Sequence, residues 1–136
     1  MSHSVALLLA AVTGWAARRP EVMAVALIGS HAAGTAGPGS DVDLVVITGD
    51  PHSQLGGRNW LDEFGVVRSV TLERWGMVTS LRVGYEGGLE VEFGIAPPRW
   101  AWTEPVDGGT REVVRAGMRI LYDPNGVLAA LEDAVG

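Results

Sequence analysis

Neither cysteine nor lysine occurs among the 136 residues. Without cysteine there are no disulfides, no thiolate metal sites and no thiol nucleophile, and the redox compartment leaves no mark on the composition. Without lysine there is no Schiff-base amine and no P-loop lysine; all ten cationic side chains are arginines. Positive charge is also scarce overall. The formal charge of -6 argues against non-specific binding to long nucleic acid, which needs a basic footprint. It leaves room for a single nucleotide, because a bound magnesium ion reverses the local charge, and it favours a cationic small acceptor. Long apolar runs are missing too, so no segment is of membrane-spanning length. The run Val5 to Val12 superficially resembles the core of a signal peptide, but no Arg or Lys precedes it and Arg18-Arg19 follow it. Val5, Leu8, Leu9, Val12 and Trp15 share a helical face, so this segment reads as a docked first helix of a cytoplasmic protein.

What is present is enough apolar material, 47% of residues, for the core of one domain over 1–136. The periodicity predicts a helix over 4–18, stopped by Pro20, and a buried strand over 22–28. A turn-rich connection over 29–40, with a short helix around Ser30 to Ala33, leads to a second strand over 41–48. Residues 50–57 read as exposed loop and 58–64 as a short helix. Strands are expected over 66–75, 78–85 and 89–95, with Gly76 at the first bend and Glu86-Gly87-Gly88 at the second. Thr110 is placed as the cap of a helix over 111–116, before a last strand over 118–122 and a terminal helix over 127–135. Helices and strands alternate early and strands cluster in the middle, so the fold class is α/β (α+β), a mixed β-sheet flanked by helices.

Chemistry concentrates between Ala26 and Thr48. An apolar run ends in Gly29-Ser30, a glycine-rich loop follows, and Asp41-Val42-Asp43 opens the next apolar run. Two carboxylates at i and i+2 of a strand point to the same face. Asp is depleted in strands. One reading gives Asp41 to the turn and Asp43 to the strand's edge. The other follows from alternation: Asp43 heads a face that continues as Val45 and Ile47, where unpaired charge is costly unless a metal or a donor compensates it. Glu90 and Glu92 lie on the polar face of the 89–95 strand, opposite Leu89, Val91, Phe93 and Ile95. Alone they make a solvated edge; beside the Asp pair, one of them supplies a third carboxylate, and such a set has room for two oxygen-liganded magnesium ions. The glycines fit neither the Walker A pattern nor G-x-G-x-x-G. His31 reads as a turn residue with a local hydrogen bond, with phosphate or metal contact as its functional alternative. Arg68, Arg74 and Arg82 lie on expected strands where they could meet phosphates, though their alternation suggests an exposed face; Trp60, Trp75, Trp100 and Trp102 read as core or interface, the last two also as candidates for an acceptor groove or a dimer contact.

Jointly, the apolar run ending in Gly29-Ser30, the Asp41-x-Asp43 strand and the later Val91-Glu-Phe-Gly-Ile-Ala-Pro97 segment resemble the nucleotidyltransferase superfamily that includes DNA polymerase beta and the aminoglycoside nucleotidyltransferases. The resemblance implies the polymerase beta palm-like fold and transfer of a nucleoside monophosphate, AMP above all, from an NTP to a hydroxyl of a small molecule or partner protein, with release of pyrophosphate. It implies Mg2+, two ions, held by Asp41, Asp43 and Glu92, with Glu90 as the alternative third acid. The triphosphate, ATP first among donors, falls to Gly29 and Ser30, with His31 and Ser40 alongside. The third acid departs from the more usual Asp. The helical acceptor-binding domain of the drug-modifying enzymes has no counterpart in this sequence, so a helical partner protein, a homodimer or a groove of this domain is expected to supply that surface. The rival expectation is an antitoxin-like or regulatory nucleotide-binding module that acts mainly by gripping a partner; a D-x-D glycosyltransferase fits poorly, because it usually needs a longer chain.

Overall fold

The computed structural model describes residues 3–136. A first helix, α1 (His3–Ala17), leads into β1 (Val22–Ile28), a short α2 (Gly29–Ala33) and β2 (Val42–Thr48). Then come α3 (Pro51–Leu55), a 3-10 turn (Asn59–Phe64), the hairpin β3 (Val67–Trp75) and β4 (Val78–Tyr85), and β5 (Glu90–Ala96). A 3-10 turn (Pro98–Ala101), α4 (Gly108–Ala116), β6 (Met118–Tyr122) and α5 (Val127–Val135) complete it. The six strands form one sheet in the order β3-β4-β5-β2-β1-β6. All neighbours are antiparallel except β2 and β5, which run parallel and therefore need the long crossover that the β3–β4 hairpin supplies. The mixed sheet with flanking helices is the architecture the sequence implied.

Strand alternation divides the core into two layers. On one side Val25, Leu27, Leu44, Val46, Leu81 and Phe93 pack under α1, whose Val5, Leu8, Leu9, Val12 and Trp15 are all buried as the helical spacing required. An aromatic knot closes this layer: Trp15 stacks on Trp60 at 4.7 Å, and Phe64 stacks on Phe93 at 5.7 Å. On the other side Ala24, Ala26, Val45, Ile47 and Ala96 meet Trp100 and the α5 residues Leu128, Leu131 and Val135. The small alanines let a helix approach this face closely.

Two expectations need correction. Residues 50–57 are not all loop: Pro51–Leu55 form α3, with proline in its first turn, and Gln54 is buried and donates to Glu21 Oε2 at 2.8 Å. Pro and Gly flanking a polar stretch read as loop, yet proline's fixed φ suits a first helical turn. The cap of α4 is Asp107 rather than Thr110: the Asp107 carboxylate accepts from Thr110 N at 3.1 Å, and the buried Thr110 hydroxyl donates to Trp100 O at 2.9 Å. Gly108-Gly109 hid the start of that helix, since glycine is a poor helix former.

Candidate functional site

β2 leaves the glycine-rich connection with Val42, Leu44 and Val46 facing α1, so Asp43 faces the opposite side. Its neighbours are set by register. Asp43 lies opposite Ile28 on β1 and opposite Glu92 on β5, and Glu92 in turn lies opposite Arg82 on β4. Three strands thereby bring Asp43, Glu92 and Arg82 into one row across the sheet. Asp41, just before β2, reaches the same cluster: Arg82 Nη1 donates to Asp41 Oδ2 at 2.6 Å, and Arg82 Nη2 is 3.5 Å from Glu92 Oε2. Glu73 of β3 stands on the outer flank, 3.8 Å from Arg82 Nε.

The electrostatics follow from this crowding. The Asp43 carboxyl is pushed up to about 7, first by burial, then by its hydrogen bond with Glu92 and the charges of Glu92 and Asp41, with Arg82 opposing. Two carboxylates cannot hydrogen-bond to each other unless one carries a proton, so near neutral pH the Asp43–Glu92 pair retains one for part of the time. Such a pair is short of positive charge. Its donors are hard carboxylate oxygens, the kind magnesium takes, and magnesium commonly uses one or two carboxylates and completes its shell with water and phosphate oxygens. The residues thus fit a divalent cation at Asp43 and Glu92. Among the described residues no three His, Asp or Glu side chains are gathered as a ready-made cage. Asp41, also expected among the metal ligands, accepts from Arg82 instead.

Gly29 is tied to this site twice. Its φ of +72° lies in the left-handed region, and a Cβ there would collide with Asp43 Oδ2. Glycine is therefore needed for the backbone to turn from β1 into α2 while passing the carboxylate. Ser30 is the next residue of α2. His31 and Ser40 are bound up in the loop itself. The His31 Nε2 lies 3.3 Å from Ser40 O, and the Ser40 hydroxyl accepts from Gly37 N at 2.9 Å. These two residues and the exposed Glu90 line a cleft of about 590 Å3 that neither Asp43 nor Glu92 enters. The acids open onto a different cavity of about 680 Å3. Gly94 and Ser80 floor it, the Trp75-Gly76-Met77 turn, Trp100 and α4 wall it, and Asp43 and Glu92 stand at its side. A Cβ on Gly94 would come within 3.2 Å of both Leu44 O and Val78 Cγ1, so a side chain there would press on both neighbours.

The sequence singled out Arg82 only alongside Arg68 and Arg74 and did not foresee its ion pairs with the carboxylates. Its alternation with Leu81 and Val83 correctly puts it on the other face of β4. That this face is the acidic one depends on the pairing of β4 with β5, and the one available signal was the charge complementarity between the two polar faces. Trp60 and Trp100 are buried, whereas Trp75 and Trp102 are 61% and 63% exposed.

Residues 12–87 match the family model described as "Nucleotidyltransferase domain". The matched span includes Gly29, Ser30, Asp41 and Asp43 and ends before β5. None of the curated proteins is significantly similar in sequence. Among solved structures, an aminoglycoside 6-adenyltransferase from Bacillus subtilis superposes with a TM-score of 0.55 at 16% identity, over 74% of this chain and 37% of that one. A nucleotidyltransferase-like protein from Exiguobacterium sibiricum 255-15 gives 0.44 at 20% identity, over 90% of this chain and 35% of that one. The chain spans little more than a third of the length of either.

Proposed function

Because this chain belongs to the nucleotidyltransferase domain family, we propose that it moves a nucleoside monophosphate from an NTP to an acceptor hydroxyl, with Asp43 and Glu92 at the reacting centre. The observation that carries the reading is the register pairing of Asp43 with Glu92 across the parallel β2–β5 pair, beside Gly29 and at the side of a cavity. The bond that forms joins the acceptor oxygen to the α-phosphorus; the bond that breaks joins that phosphorus to pyrophosphate. Asp43 and Glu92 would hold Mg2+, with Asp41 completing the set once it parts from Arg82. Bound there, the ion would neutralise charge on the phosphate oxygens and the departing pyrophosphate. Gly29 and Ser30 are the proposed phosphate contacts, since the backbone there passes the Asp43 carboxylate at close range. Glu92 is the proposed acceptor of the hydroxyl proton, and the walls around Trp75, Met77 and Trp100 position the organic part of a substrate and exclude water.

ATP is the first donor to test, in line with the adenyltransferase neighbour, and a small hydroxylated molecule is the first class of acceptor. A partner protein or second copy is proposed to supply further acceptor contacts. A thermal-shift panel of ATP, GTP, CTP and UTP, each with and without Mg2+, tests the site. Stabilisation by a triphosphate that needs Mg2+ and is lost in Asp43→Asn is the expected result. With an acceptor in hand, Asp43→Asn is expected to lower turnover by at least about 100-fold, the scale of removing a principal charge-stabilising group. Mg2+-dependent turnover at the wild-type rate in that variant would remove Asp43 from the mechanism.

A further inference from the structure

We propose that Arg82 is a placeholder cation, holding Asp41 and Glu92 in the free protein so that a bare divalent ion must displace it while an ion arriving with phosphate gives its guanidinium new partners. The inference rests on the reading of Asp43 and Glu92 as metal-binding. Arg82 is the only cationic side chain in an ion pair with the described carboxylates of the cluster, and its three N–H-bearing nitrogens each address a different one: Nη1 to Asp41 at 2.6 Å, Nη2 to Glu92 at 3.5 Å and Nε to Glu73 at 3.8 Å. A planar fork with five donors, always charged, suits this task in a way an ammonium would not. The same oxygens are the ones a metal would need. While Asp41 Oδ2 accepts this short charge-assisted hydrogen bond, an ion approaching the carboxylate meets it beside the guanidinium charge. The side chain is also free to leave. It is 39% exposed. Phosphate oxygens are the natural second home for a displaced guanidinium, because they accept the same bidentate geometry as a carboxylate.

Binding of Mn2+ to the full chain, read from the electron paramagnetic resonance of unbound Mn2+, tests this. Arg82→Gln is expected to bind Mn2+ alone about tenfold more tightly than wild type, the scale of one close charge pair at a partly exposed site. Arg119→Gln removes an equal charge on β6, four strand spacings or about 19 Å across the sheet, and is expected to leave Mn2+ affinity unchanged. Inorganic tripolyphosphate is expected to raise Mn2+ affinity more in wild type than in Arg82→Gln. The proposal falls if Arg82→Gln binds Mn2+ no more tightly than wild type. It falls equally if Arg119→Gln tightens binding as much, or if tripolyphosphate enhances both proteins alike. A merely structural Arg82 would weaken binding when removed. If Mn2+ binds wild type and Asp43→Asn equally or not at all, the metal reading falls with it; Asp43-dependent binding that Arg82→Gln does not tighten overturns the placeholder alone.

Discussion

At the scale of single residues, Asp43 links charge to stability. Its pKa is near 7 in the folded protein, against an ordinary aspartate value in the unfolded chain, so between about pH 4 and 7 the folded state binds more protons. Stability of the metal-free protein therefore falls as pH rises through that window. Differential scanning calorimetry from pH 4 to 8 without divalent ions should show this decline, and Asp43→Asn should flatten it. Divalent ions reverse the trend, since metal competes with the proton and binds better as pH rises. Asp41-x-Asp43 was legible as a motif because Asp is depleted in strands and Asp43 heads a face that continues as core. That Glu92 rather than Glu90 partners Asp43 was implied by the family resemblance alone; alternation puts both on one face, and only the β2–β5 register separates them. Alternation could not separate Arg82 from the other strand arginines for the same reason, since its place opposite Glu92 depends on the β4–β5 register.

At the scale of elements, the β1–α2 turn is the most constrained piece of backbone near the site. Gly29→Ala meets both a positive φ and the Asp43 carboxylate, so urea unfolding should register a loss of about 1–2 kcal/mol from the backbone conformation alone. The same variant should bind Mn2+ more weakly, because the displaced carboxylate leaves its register with Glu92. An alanine at Gly34, which has a positive φ but no neighbour within 4 Å, should lose stability without that loss of metal affinity. Element types were readable because strands such as Val42–Thr48 alternate cleanly and α1 presents one apolar stripe. The α3 segment and the start of α4 were misread because proline and glycine punctuate loops and helix ends alike; only packing, such as Gln54 against Glu21, distinguishes them.

At the scale of the whole molecule, one face of the sheet is pinned by the Trp15–Trp60 stack and the opposite face carries the acids. Trp15→Ala should cost about 3–5 kcal/mol, a large part of a small domain's stability, and should lower the urea midpoint far more than Asp43→Asn does. Nucleotide with Mg2+ should then restore part of the loss in the Trp15→Ala protein, which keeps its acids, and none of it in the double variant. The described residues contain no helix long and apolar enough to cross a membrane. The parallel pairing of β2 with β5 has one more consequence, for a chain still being made. A nascent or truncated product that stops before Glu90 already carries the glycine loop and both aspartates, yet it lacks the strand on which Glu92 and the cavity floor at Gly94 reside. Such a fragment displays the motif without the machinery. On the proposed reading, competence arrives only when the fifth strand slots in beside the second, so copies terminated before it would be silent rather than promiscuous consumers of nucleotide.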